Sequence, residues 1–112
     1  MKKQSWAAVR KRGELLMNTD TEREMPKKAK DEYTNLVGDG KAKVHRMVTL
    51  GMSKEIGRNF WVKADVGAIC ELSCNQDEAT ILKAGKLAQE LASSWASDEF
   101  GEANSFIDSF KS

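Results

Sequence analysis

The sequence predicts an α+β protein: N-terminal helices, an antiparallel β-hairpin, a long amphipathic helix packed on the sheet and a short C-terminal helix. Three observations carry that prediction. Phe60, Val62, Ala64, Val66, Ala68, Cys70 and Leu72 recur at a strict period of two, which marks a half-buried strand because successive side chains point to opposite faces. Ile81, Ala84, Ala88, Leu91, Ala92 and Trp95 recur at helical spacing, flanked by Leu87. A second apolar run, Val44–Met52, lies so close before the alternating strand that the short connection favours an antiparallel hairpin.

Taken in chain order, Ser5 is a candidate N-cap for a first helix, with Trp6, Val9, Leu16 and Met17 near helical spacing and Gly13 weakening it. Asn18-Thr19-Asp20-Thr21 reads as a turn or a new cap. Pro26 suits the first position of a second helix over 26–37, with Ala29, Tyr33, Leu36 and Val37 as its apolar stripe and Gly38 as its stop. In the first strand, Val44, Val48, Leu50 and Met52 form the inward set, interrupted by Arg46, and the stretch from Gly51 to Arg58 supplies the reversal. Gly67 suggests a bulge in the second strand. Asn75 with Glu78 resembles a capping box for the helix that runs from 79 to 95. Asp98-Glu99-Phe100-Gly101 reads as a break, and Ala103, Phe106, Ile107 and Phe110 as a last short helix.

A chain of 112 residues is one small domain. It divides into a helical N-terminal arm (1–40), a hairpin–helix core (41–98) and a Phe-rich acidic tail (99–112). The formal net charge of +1 hides a partition: +2 over residues 1–40, +5 over 41–63 and −6 over 64–112. Lys2, Lys3, Arg10, Lys11 and Arg12 form a second basic spot ahead of any acid. No apolar run approaches the length of a membrane span, and no apolar signal core follows the basic start. The two cysteines are therefore expected as free thiols in a cytoplasmic, reducing setting.

Catalytic motifs are not evident. His45 is the sole histidine and is expected on the exposed side of its strand. With Cys70 and Cys74 it matches no usual zinc spacing, so no metal and no cofactor is expected. Both cysteines read as buried structural thiols, although Cys74, at a helix N-terminus, is a candidate for a lowered pKa. Gly38-Asp39-Gly40-Lys41 lacks phosphate-loop spacing. The basic hairpin, with an aromatic beside its cations, suits single-stranded nucleic acid.

Residues 44–92 resemble a pattern found in small accessory proteins of phages and mobile elements: a strand ending near a glycine (Leu50-Gly51), an Asn-aromatic pair (Asn59-Phe60) opening a long alternating strand (Val62 to Gly67), and a Cys-x-x-x-Glu corner (Cys74, Glu78) leading into an amphipathic helix. The resemblance implies a phage or plasmid setting, where small non-enzymatic proteins act as inhibitors of host defence machinery or as replication accessories. The resulting expectation is a non-catalytic binding protein that occupies a surface of a larger host protein or nucleoprotein complex. The expected binding surface is Arg46, Arg58, Trp61 and Lys63. The alternative is a single-stranded DNA- or RNA-binding accessory protein using the same hairpin. A homodimer, or a partner-dependent fold, with the hairpin edge or the Phe100–Phe110 tail at the contact is also expected, because two strands alone make a marginal sheet.

Overall fold

The computed structural model describes residues 3–110, so Lys2 of the basic spot and the last two residues of the tail lie outside the described residues. The chain forms β1 (Lys3–Lys11), β2 (Glu14–Glu22), α1 (Lys27–Thr34), β3 (Ala42–Gly57), β4 (Phe60–Cys74) and α2 (Glu78–Asp108). The strands make one antiparallel sheet in the order β2-β1-β4-β3, with α2 across one face.

The alternating strand behaves as its sequence dictates. Val62, Ala64, Val66, Ala68, Cys70, Leu72 and Cys74 are buried under α2, while Trp61, Lys63 and Asp65 point away from it. β3 keeps the expected parity but runs to Gly57, so the reversal is confined to Arg58-Asn59, with Asn59 left-handed at φ 62°. No bulge falls at Gly67. The register shift lies at the hairpin tip, between Glu55 and Gly57.

The pair of N-terminal helices does not form. Residues 3–22 are a β-hairpin, and the one helix of this half is α1, with Pro26 as its non-helical cap residue rather than its first turn. The reason is the second edge of β4. A hairpin of β3 and β4 alone would leave that edge unpaired, and β1 closes it from Lys3↔Cys70 to Lys11↔Val62. Ser5, Ala7 and Val9 alternate into the core, a period-two signal obscured by the helical spacing of Trp6 and Val9. Arg12 (φ 52°) and Gly13 (φ 78°) make the two-residue turn, whose double positive φ matches the twist of a hairpin. Where β1 runs out, the Ser73 N–H donates to Tyr33 Oη (3.2 Å) and the Asn75 N–H to the Leu36 carbonyl (3.0 Å).

The expected break at residues 98–101 and the separate last helix are also corrected. α2 is one helix of 31 residues, roughly 46 Å long at 1.5 Å per residue. Its cap is Asp77, not Asn75: the Asp77 carboxylate accepts the Thr80 N–H, and Asn75 steadies it from the side. Small inward residues, Ala84, Gly85, Ala88, Ala92 and Ala96, let α2 lie close to the sheet around Trp95. Ile81, expected in the buried stripe, is on the exposed side.

The second half of α2 covers a separate apolar cluster of Ala7, Val9, Val62, Ala64, Val66, Ala103 and Ile107, with Phe100 and Phe106 packed against it. Phe100 and Phe106 of the tail thus pack on their own subunit, whereas Phe110 remains 38% exposed, its ring edge-on to Phe106. Between the two clusters sits Glu99, fully buried. It accepts the Ser5 hydroxyl (2.7 Å) and pairs with the Arg23 guanidinium (2.5 Å), which also donates to Ser5. This network holds a carboxylate inside the helix–sheet interface, at the place where the sequence reads as a helix break.

Candidate binding face

The face of the sheet opposite α2 has no cover among the described residues. The register orders it into rows. Gln4, Ile69 and Met47 form one row, and Trp6, Gly67 and Thr49 the next. Ala8, Asp65 and Gly51 follow, then Arg10, Lys63 and Ser53, and finally Trp61 beside Glu55. Both hairpin turns, at 12–13 and 58–59, lie at the same end, because Lys11 is opposite Val62.

That end is where cations and aromatics converge. Arg10 and Lys63 are directly opposed on neighbouring strands. Like charges so placed repel. Trp61 stands beside them, 51% exposed. Phe60, on the next position, lies beneath Lys11 (4.6 Å from Nζ to the ring centre) and Arg12 (4.3 Å from Cζ), which ties the two hairpin tips together. The result is an open cleft of about 520 Å³ lined by Arg10, Arg12, Gly13, Asn59, Trp61, Lys63 and Asp65. Three cations and one carboxylate give it a positive balance, and the indole gives it a flat apolar wall. Such a cleft can hold a planar group with an anionic substituent.

Of the residues expected at the surface, Trp61 and Lys63 line this cleft and Arg58 is exposed in the adjoining turn. Arg46 does not join them. It is paired with Cys70, on the helix side of the edge strand. Its guanidinium crosses α2 at Gly85, where a Cβ would fall 2.8 Å from Nη2. Arg10 and Arg12 fall outside the expected surface because a helical reading of residues 5–17 separates them from the hairpin. The Arg12-Gly13 dipeptide after the alternating Ser5, Ala7 and Val9 is the signal that locates them.

The remaining reactive groups lie elsewhere. His45 is exposed on the helix-free face, its Nδ1 3.7 Å from Glu71. Cys70 points to the opposite face, so His45 and the two cysteines do not converge. Among the described residues no group of three or more His, Cys, Asp or Glu side chains could hold a metal ion. Burial pushes the Cys70 thiol up to about 11, against a weaker pull from Lys3. Burial, then the charges of Asp77 and Asp39, raise Cys74 as well, so the lowered pKa expected for it at the helix corner is reversed. Hydrogen bonds with Thr80 hold the Asp77 carboxyl below its ordinary value; desolvation opposes them, and Asn75 and the charge of Lys83 add lesser pulls in the same downward direction.

The fold and this face define an α+β protein with a four-stranded antiparallel sheet, one side covered by a long helix and the other without cover among the described residues. No described helix is long and apolar enough to cross a membrane. Comparisons with known protein families, with curated proteins and with solved structures give no match. The geometry of the face therefore carries the functional argument.

Proposed function

We propose that the protein is a non-catalytic binding protein that takes single-stranded nucleic acid at the tips of its two hairpins. The observation that carries this reading is the opposed pair Arg10 and Lys63 beside an exposed Trp61 in an open cleft. A base stacks on the indole while the cations, with Arg12 and Arg58 at the rim, take the neighbouring phosphates. Stacking needs no particular base, so sequence preference is weak. The role of replication accessory, implied by the likeness to phage proteins, fits this chemistry. The test is a titration of the full chain with short oligothymidylate, followed by tryptophan fluorescence at several salt concentrations. Four phosphate contacts predict a slope of about −3 in log K against log salt. No quenching at low salt and micromolar concentrations sinks the reading.

A second reading has its own observation. Met47, 56% exposed, faces Ile69 across the strands at the far end of the same sheet face. This apolar strip suits a protein surface, such as a component of a host defence system. In that case Met47→Asp abolishes partner capture and leaves oligonucleotide binding unchanged.

A further inference from the structure

The two edges of the sheet differ in how they resist pairing. β2 carries Glu14, Asp20 and Glu22 and no base, so a second β2 laid against it would bring acids together. β3, the other edge, is 16 residues long, has no proline and carries its charges differently. On its helix-free side Lys43 stands near one end and Glu55 near the other.

We infer that β3 is a self-pairing edge: two copies of this chain join antiparallel through β3, centred on Thr49, into one sheet of eight strands, four from each copy. In this register Lys43 meets Glu55 of the second copy, and the reverse, so two opposite-charge pairs form. His45 meets Ser53. Met47 meets Gly51, which has no side chain to obstruct it. On the helix side Val48 meets Leu50, a residue 37% exposed in the single chain. No like charges are opposed. Moving the centre to Val48 or Leu50 loses both Lys43–Glu55 pairs, and the Leu50 centre also sets Arg46 against Lys54. A two-fold axis perpendicular to the sheet keeps both α2 helices on one face. It leaves one continuous bare face on the other, with a Trp61 cleft at each end. The pairing does not depend on the nature of the ligand.

The test is light scattering of the full chain combined with cross-linking. The expected mass is that of a dimer at micromolar concentration. Under mild oxidation Thr49→Cys should cross-link, because residues opposed across a strand pair hold their Cβ atoms about 5 Å apart. Lys43→Cys should not, since the two copies of that position lie roughly 40 Å apart in this register. The native cysteines are buried and give no background. Lys43→Glu should weaken the dimer roughly tenfold or more, and the charge swap Lys43→Glu with Glu55→Lys should restore it. Thermal melting of each variant confirms that it is folded, because Glu55 also accepts the Asn59 N–H in the turn. A monomer at high micromolar concentration, species larger than a dimer, or cross-linking through position 43 but not 49 would overturn the inference.

Discussion

The indole of Trp6 lies over Gly67 on the neighbouring strand, so close that a Cβ at position 67 would fall 2.3 Å from Cζ2. Gly67 is therefore not a bulge but the floor beneath an aromatic on the bare face of the sheet. Gly67→Ala should force the indole off its seat and cost about 1–3 kcal/mol, the usual range for an added methyl in a filled site. Adding Trp6→Leu should recover part of the loss. A urea midpoint unchanged by Gly67→Ala would refute this contact.

Arg23 and Glu99 give the sharpest contrast in stability. Arg23→Met leaves a fully buried carboxylate with only Ser5 and the more distant Thr19 as partners, and should cost about 3–5 kcal/mol. Lys54→Met, at the part-exposed pair with Asp108, should cost within about 1 kcal/mol. Chemical denaturation of the two variants side by side measures the difference. Equal losses would mean that Glu99 is not held as described.

Gly101 lies within α2, and a Cβ there would meet nothing within 4 Å. Because the helix is continuous through the Asp98–Gly101 stretch, Gly101→Ala should stabilise the protein by about 0.5–1 kcal/mol, by removing freedom from the unfolded chain. A helix that broke there with a left-handed glycine would be destabilised by the same change. The sign of the shift in melting temperature decides the matter.

The thiols set an alkaline limit. The folded Cys70 thiol titrates near 11, against an ordinary 9.0. Between those values the unfolded chain releases its proton while the folded chain keeps it. The stabilisation is whole below pH 9 and is lost as pH rises through 11. The urea midpoint of the wild-type chain should fall more steeply over this window than that of Cys70→Ala. An aromatic disulfide reagent at pH 8 should label neither cysteine until the protein is denatured.

Binding and folding should separate at the tryptophans. Trp61→Ala should abolish oligonucleotide binding with little change in melting, whereas Trp95→Ala, in the core under α2, should cost about 3–5 kcal/mol. Arg10→Ala and Lys63→Ala should each weaken binding and reduce the salt slope by about 0.7. Arg46→Ala, on the helix side, should do neither. Weaker binding in Arg46→Ala with no change in Arg10→Ala would move the site to the other face.

The alternation of Phe60 to Leu72 and the helical stripe through Trp95 were readable because each is a local repeat that a strand or helix must bury on one side. The same parity puts Trp61 and Lys63 outside; it also makes Arg46 an interruption of the inward series, so the expectation of Arg46 at the binding surface conflicts with its own strand parity, and the structure places it on the helix side. The N-terminal hairpin was not readable in this way. Ser5, Trp6, Ala7, Ala8 and Val9 satisfy either period over so short a stretch, and the free backbone edge of β4, some sixty residues away, settles it. Glu99 follows the same logic. Next to Asp98 and Gly101 it reads as a helix end, until Ser5 and Arg23, brought in by β1 and by the chain after β2, supply a buried carboxylate with its partners and let α2 continue. Periodicity is a property of neighbours along the chain, so the sequence determines faces. Which edge is closed, which charge is paired and which cations meet Trp61 depend on residues far apart in sequence, and only packing brings those together.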